Sequence, residues 1–276
     1  MLTITTCLAY PEPPTNLLPL ADALTHDNIP TAFAPWQNRP KSAFILPLCA
    51  WDYAAEPEAF GQWLTEAEAC GQRFINPVGL MRWNMDKRYL CDLAEWGADV
   101  IPSVQTSSEK EKLEDILKNR SWREAVVKPV IGQSGRGVAK IRAGEVSLKA
   151  EDYPQGVIVQ PYIREIETAG ETSLVFLEGR FSHAVLRMPP QGEWRANSAY
   201  GVAVSPAAPP EKAVETARQI LDMLPEIPAY ARIDGTLIGD RLLLNELELV
   251  EPALYLHTAE NAVADMVQAV KRVIAG

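Results

Sequence analysis

Tyr230–Pro252 reads Tyr-Ala-Arg-Ile-Asp-Gly-Thr-Leu-Ile-Gly-Asp-Arg-Leu-Leu-Leu-Asn-Glu-Leu-Glu-Leu-Val-Glu-Pro. Two apolar runs flank Ile238-Gly239-Asp240-Arg241, a turn composition, and together they predict an antiparallel hairpin. Its first strand carries Arg232 and Asp234; its second carries Glu246 and Glu248, with Glu251 just beyond. Residues two apart on a strand share a face, about 6.5–7 Å apart along the chain, so Glu246 and Glu248 aim together from a leucine-rich strand. Burying like charges that close is costly unless a cation lies between them. Carboxylate oxygens on adjacent strands, with water and phosphate oxygens completing the shell, suit Mg²⁺. The alternative is an amphipathic edge strand whose acidic face meets water, and the hairpin alone does not separate the two.

The chain has 276 residues, enough for two or three lobes around a large core. Hydrophobic residues make up 47% and charged residues 22%, an ordinary globular balance. A net charge of −10 with no basic run argues against nucleic acid as a partner, while a locally positive nucleotide pocket remains compatible with it. Cys7, Cys49, Cys70 and Cys91 are too far apart for a Cys-x-x-Cys pair, and His26, His183 and His257 form no zinc signature. Four reduced, mostly buried thiols are expected. No leader and no apolar run of about 18 residues is evident, so a cytoplasmic protein without a membrane partner is expected.

Leu2–Leu8, Thr31–Ala34 and Ala43–Leu48 read as strands and Asn16–His26 and Pro57–Cys70 as helices, which predicts a parallel α/β lobe over residues 1–78. No Gly-x-Gly-x-x-Gly follows the first strand, so a dinucleotide site there is not expected. Asn84–Trp96 reads as one helix with Asn84 as its cap and Lys87 in its first turns. Ser107–Arg120 and Glu211–Leu224 read as helices, as does Ala259–Ile274 at the end. Ala125–Ile131, Val138–Ile141, Val157–Gln160, Thr172–Leu177 and Phe181–Leu186 read as strands, and Ser205–Pro210 as a proline-rich loop. For His183, on an alternating apolar strand, a packed or hydrogen-bonded ring is favoured over a catalytic one.

Between two of these strands lies Val126-Val127-Lys128-Pro129-Val130-Ile131-Gly132-Gln133-Ser134-Gly135-Arg136-Gly137-Val138. Backbone N–H groups in a glycine loop can approach phosphates because no Cβ intervenes. The Gly-Lys-Ser/Thr ending of a Walker loop is missing, and the lysine sits instead on the incoming strand, where it can place a point charge on a phosphate. An exposed hairpin turn with a surface lysine is the competing reading. Val157–Ile163 is an apolar strand broken at Gln160-Pro161, where main-chain groups could grip an adenine edge. Pro161 has no N–H, so Tyr162 or Ile163 must donate.

Five pieces stand in the order shown by ATP-grasp ligases: Asn84–Leu90, Val127–Pro129 with its glycine loop, Gln160–Ile163, Gly192–Asn197, and the set Asp234, Glu246 and Glu248. Over residues 45–257 the chain resembles the glutathione-synthetase-like branch of that superfamily, and within it the subgroup that includes the enzyme closing the cycloserine ring. The resemblance implies an ATP-grasp fold, α/β with an α+β lid: a Rossmann-like N-terminal lobe (1–78), a lid with the glycine loop (79–160) and a C-terminal antiparallel-sheet catalytic lobe (161–276). It implies ATP and Mg²⁺, two ions, with Mn²⁺ able to substitute. Lys87 and Lys128 match the lysines that neutralise the phosphates. Gly132, Gln133, Ser134, Gly135 and Gly137 match the mobile loop over the β- and γ-phosphates. Gln160, Pro161, Tyr162 and Ile163 match the adenine hinge, and Glu171 the ribose acid. Arg195 and Arg232 match the arginines on the transferred phosphoryl group, and Asp234, Glu246 and Glu248 the metal ligands.

Three positions depart from the pattern. Glu248 stands where asparagine is common, Leu48-Cys49-Ala50-Trp51-Asp52-Tyr53 stands where Arg-Ser-x-Trp-Asp-Tyr is common, and Tyr200-Gly201-Val202 replaces a Gly-Gly ending. The missing arginine removes a carboxylate clamp, so the subgroup's substrates do not transfer. The chemistry fits independently of the resemblance. A carboxylate is a poor electrophile, and its phosphorylation by ATP creates a leaving group for an amine, which calls for cations, backbone donors and Mg²⁺ rather than a nucleophile. The expected activity is an ADP-forming ligase joining a small-molecule carboxylate to an amine or closing a ring. A small-molecule kinase of the same fold and a non-catalytic ATP-binding module are the alternatives, and a homodimer is left open.

Overall fold

The computed structural model describes residues 1–276 as three sheets with helices packed on and between them. The elements run β1 (Leu2–Thr6), α1 (Leu18–His26), β2 (Thr31–Pro35), β3 (Phe44–Leu46), α2 (Pro57–Ala69), β4 (Arg73–Phe74), α3 (Val78–Asn84), α4 (Tyr89–Glu95), β5 (Val104–Thr106) and α5 (Lys110–Asn119). They continue with β6 (Glu124–Pro129), β7 (Ala139–Arg142), β8 (Val157–Pro161), α6 (Ile166–Ala169), β9 (Glu171–Leu177), β10 (Arg180–Met188), β11 (Ala203–Ala207), α7 (Glu211–Asp222), β12 (Tyr230–Ile238), β13 (Arg241–Glu248) and α8 (Ala262–Ala275).

The first sheet, in order β2-β1-β3-β4, is parallel. Every residue of β1 is buried, as expected of a parallel strand covered on both faces. Leu20 and Leu24 of α1 and Met266 and Val270 of α8 cover one face. Phe60, Trp63 and Leu64 of α2 cover the other. The last helix therefore returns to the first lobe.

The second sheet, β5-β8-β6-β7, is antiparallel and buries Val127 and Val159 under Leu113 and Leu117 of α5. The third, β11-β10-β9-β12-β13, is also antiparallel and packs against α7 through Ala213, Ala217 and Ile220. Leu80, Tyr89, Leu90 and Leu93 join that same third core, so α3 and α4 dock on the third sheet rather than on the second.

Two sequence expectations are corrected. Asn84–Trp96 is not one helix: α3 ends at Asn84, which is therefore no N-cap, and α4 begins at Tyr89. The break has a local cause. Asp86 Oδ1 accepts the Arg88 N–H at 3.0 Å, an interaction that competes with helix, and the Lys87 N–H leaves to donate to the Val130 carbonyl at 2.7 Å. Ser205–Pro210 is not all loop, because Ala203–Ala207 pairs with β10 as an edge strand. Pro206 is tolerated there because an edge strand can leave one side unpaired.

β13 ends the third sheet, yet its outer edge is closed. The Leu244 N–H donates to the Asp99 carbonyl at 3.1 Å and the Ile101 N–H to the Leu244 carbonyl at 2.9 Å. The Tyr89 hydroxyl donates to the Leu247 carbonyl at 2.9 Å and accepts the Leu247 N–H at 2.8 Å. Asn84 Nδ2 donates to the Leu247 carbonyl and Asn84 Oδ1 accepts the Leu249 N–H, both at 2.8 Å. An open strand edge would expose unpaired donors and acceptors; these bonds answer them and fix the strand in place. Asn84→Ala should therefore destabilise the fold by about 1–3 kcal/mol. A urea midpoint equal to that of the wild type would contradict this.

Candidate active site

The hairpin does not run as a regular ladder. Asp234 faces Glu246 and Gly235 faces Leu244, so Asn245 is an extra residue, a β-bulge. The bulge resolves a parity problem in the sequence. Leu242 and Leu244, then Leu247 and Leu249, all lie in one core, which a strictly alternating strand could not achieve. The shift turns Asn245, Glu246 and Glu248 together toward the opposite side, into a cavity of about 390 Å³ lined by the second and third sheets and by loops of the first lobe.

Most residues predicted from the sequence line this cavity: Lys87, Lys128, the loop at Gly132, Gln133, Ser134 and Gly135, the stretch Gln160–Ile163, and Glu171, Arg195, Arg232, Glu246 and Glu248. Two do not. Asp234 lies fully buried behind the wall, and Gly137 turns away, its carbonyl accepting the Tyr153 hydroxyl at 2.8 Å. At the break after β8, the Tyr162 N–H already donates to the Glu124 carbonyl at 3.1 Å, whereas the Ile163 N–H has no acceptor within the protein. Of the two donors left open by the sequence, Ile163 is the one free to meet a ligand.

The glycine loop is latched over the cavity. Ser134, Gly135 and Gly137 all have positive φ, and the Tyr200 hydroxyl donates to the Gly135 carbonyl at 3.1 Å. A Cβ on Gly135 would stand 2.6 Å from Asn197 Oδ1 and 2.9 Å from the Tyr200 ring, so this close approach requires glycine. Tyr200, in the Tyr200-Gly201-Val202 stretch, also carries the Arg195 guanidinium over its ring at 3.6 Å. Glu193 grips that guanidinium on two oxygens, at 2.9 and 2.8 Å.

Below the loop lies a network of paired charges. Lys87 bonds Glu246, and Lys128 donates to Asn245 Oδ1 at 2.6 Å. Arg232 pairs with Asp234 and Glu248, and Arg187 pairs with Asp234 at 2.6 Å and with Glu171 at 2.5 Å. Asn245 donates to the second oxygen of Glu171. Burial works against the Lys87 charge, but Glu246 outweighs it and raises the lysine above its ordinary range. Lys128, bonded to a neutral amide, is lowered by burial. Burial would raise Asp234, yet Arg187 and Arg232 hold it at about 2. Burial pushes Glu248 up to about 7, Arg232 opposing only in part. Burial and the nearby Glu248 push Glu251 well above the carboxylate range.

The three acids do not converge on one point. Asp234 turns to two arginines, Glu246 to Lys87 and Glu248 to Arg232, so no group of three acidic side chains stands ready around a cation. The donor set itself fits Mg²⁺: hard oxygens on adjacent strands, with Glu246 and Glu248 on the cavity wall. Glu251 makes no ion pair; Arg232 holds Asp234 and Glu248, and Arg241 holds Asp99. His183 is a packed histidine, its Nε2 on the Leu254 carbonyl at 2.8 Å.

Arg187 and Asn245 escaped the sequence reading. A signal existed for each. Arg187 continues the alternation of β10 two places beyond the buried Val185, a cation where an apolar residue would be routine. The change of leucine parity across Asn245 announces the bulge. Of the thiols, Cys7 and Cys49 are buried, Cys91 is half-buried and Cys70 is exposed, all unbridged.

Residues 92–253 match the ATP-grasp domain of prokaryotic glutathione synthetase, and the chain belongs to that ATP-grasp family. Residues 2–76 match the N-terminal domain of the D-cycloserine synthetase DcsG. The cycloserine biosynthesis protein DcsG of Streptomyces lavendulae is 29% identical over 220 residues, 71% of this chain and 72% of that protein. The crystal structure of D-cycloserine synthetase DcsG superposes with a TM-score of 0.82 at 25% identity, covering 99% of both chains. A D-alanine–D-alanine ligase from Bacillus anthracis shares the fold, with a TM-score of 0.64 at 13% identity over 99% of this chain and 96% of that one.

Proposed function

We propose that this protein is an ATP- and Mg²⁺-dependent ligase that activates a small carboxylate as its acyl-phosphate and joins it to an amine, releasing ADP. One observation carries the reading: two lysines, a glycine loop, a strand break with a free N–H and an acidic hairpin, drawn from different sheets, all border one cavity. Of the units 1–78, 79–160 and 161–276, the first then serves as substrate lobe, the second as lid apart from α3 and α4, which dock on the third sheet, and the third as catalytic lobe apart from α8, which packs on the first lobe.

In this scheme Ile163 donates its N–H to the adenine edge, while Glu171, already held by Arg187 and Asn245, offers its remaining lone pairs to the ribose. Lys87 and Lys128 meet the phosphates from two sides under the loop. Glu246 and Glu248, with Asp234 behind them, would hold Mg²⁺, which supplies charge neutralisation on the phosphate oxygens. Arg195, oriented by Glu193 and Tyr200, and Arg232, oriented by Asp234, stabilise the negative oxygens that develop as the phosphoryl group passes to the carboxylate. The amine then attacks the acyl carbon, and phosphate leaves.

Lys128→Met should weaken ATP binding about tenfold or more, because a charge on the phosphates is removed and Asn245 loses its donor. A dissociation constant equal to the wild type's by calorimetry would contradict the role. The overall reading is tested by measuring ADP release across pairs of small acids and amines, with mass detection of products. Release that requires both partners and yields an amide supports a ligase. A phosphorylated acid formed without any amine would make the protein a kinase.

A further inference from the structure

The loop that carries Arg195 springs from the third sheet, between the end of β10 at Met188 and the start of β11 at Ala203. From Pro190 to Gly201 its backbone–backbone hydrogen bonds are all local: the Glu193 N–H donates to the Pro190 carbonyl, the Tyr200 N–H to that of Asn197 and the Gly201 N–H to that of Ser198. A stretch tied so weakly to its own sheet takes its position from its side chains. Two of these reach across to the second sheet and its loops. Tyr200 donates to the Gly135 carbonyl in the glycine loop. Trp194 makes the other tie, at the strand break after β8.

The Trp194 ring meets the Tyr162 ring edge to face, with centroids 5.8 Å apart and planes at 87°, a favoured geometry for an aromatic pair. Tyr162 is itself fixed at both ends. Its N–H donates to the Glu124 carbonyl of β6, and its hydroxyl donates to Glu167 of α6. Lys140, on β7, places its ammonium 3.9 Å from the centre of the Tyr162 ring and 6.0 Å from that of Trp194. A cation held over the rings adds its own attraction to that of the pair. Lys140 does not border the cavity, so its end of the clasp lies outside the nucleotide site.

The Arg195 guanidinium rests against both rings of its loop, 5.6 Å from the centre of Trp194 and 3.6 Å from that of Tyr200. One ring is tied to the strand break whose Ile163 N–H is free for a base, the other to the glycine loop. We infer that Trp194 is a positioning residue for phosphoryl transfer, clasped by Tyr162 and Lys140 so that Arg195 moves with the second sheet. The arginine then meets the transferred phosphoryl group when the hinge and the glycine loop are both in place around the nucleotide. The inference rests on the ligase reading and adds to it two residues, Trp194 and Lys140, that act through Arg195.

The test uses the full chain and compares Mg-ADP alone with Mg-ADP plus aluminium fluoride, a mimic of the phosphoryl group in transfer. Affinity is read by displacement of a fluorescent ADP analogue, and the gain conferred by aluminium fluoride is the quantity of interest. Trp194→Leu should lose about tenfold of that gain, the combined scale of an aromatic pair and a cation over its ring. Its affinity for Mg-ADP alone should stay at the wild-type value, which also confirms that the variant is folded. Trp194→Phe keeps a ring face and should retain most of the gain. Lys140→Met should lose about threefold, although Lys140 stands outside the cavity. Arg195→Ala should lose the gain at least as fully as Trp194→Leu.

A full gain in Trp194→Leu or in Lys140→Met would overturn the inference, as would a Phe variant no better than the Leu variant. Weaker binding of Mg-ADP alone in Trp194→Leu, by the same factor as the lost gain, would make Trp194 a direct nucleotide contact and overturn it equally. If Arg195→Ala loses the gain while Trp194→Leu keeps it, the inference fails and the ligase reading stands. No gain in the wild type, or a full gain in Arg195→Ala, would take Arg195 off the phosphoryl group and overturn both.

Discussion

Glu246→Gln is expected to reduce ADP release about 100- to 1,000-fold while leaving the protein folded, the scale on which losing one preorganised electrostatic contact acts. Glu246 lies opposite Asp234 across the hairpin and faces the cavity from the strand that the Asn245 bulge turns inward. The amide keeps the shape of the carboxylate but removes a hard anionic ligand, so the concentration of Mg²⁺ needed for half-maximal rate should rise with the loss of rate. Lys87 also loses its counter-charge, and with 10% of its side chain exposed it becomes a nearly buried lone cation. A drop in rate with an unchanged Mg²⁺ dependence would assign Glu246 to holding Lys87 rather than to the metal. Wild-type activity in the variant would remove it from the site altogether.

Arg187→Leu is expected to have the largest effect on stability, about 3–5 kcal/mol, because it strands the buried carboxylate of Glu171 and removes one of the two arginines that hold Asp234. Its guanidinium is 5% exposed and meets Glu171 and Asp234, themselves 5% and 1% exposed. Asp234 retains Arg232, but Glu171 keeps only the neutral amide of Asn245. Urea denaturation measures the loss. Adding Glu171→Gln to the variant should recover about 1–2 kcal/mol, since residues in one charge network do not act independently. No recovery would show that Arg187 acts through packing alone.

Local signals were strong where one element explains itself. The hairpin, the parallel first lobe and the strand–glycine loop–strand unit were legible because apolar period, turn residues and glycine placement act over a few residues. The split of α3 from α4 was not, because the Lys87 N–H leaves the helix for the Val130 carbonyl, a partner far along the chain. β5 and β11 were missed for a similar reason: short and largely polar or proline-bearing, they become strands only by pairing with β8 and β10.

The sequence by itself determined the inventory of the site: the lysines, the glycines, the strand break and the acids of the hairpin, each of a residue type its chemistry needs. Only the tertiary structure decided the pairing. It placed Asp234 behind the wall between two arginines, gave Glu246 to Lys87, brought the unforeseen Arg187 and Asn245 into the network, and left Glu251 on the cavity wall without an ion pair. The reason is physical. A side chain's type and its face on a strand follow from neighbours in the chain, whereas which opposite charge lies within reach depends on how separate sheets pack, and no local pattern encodes that.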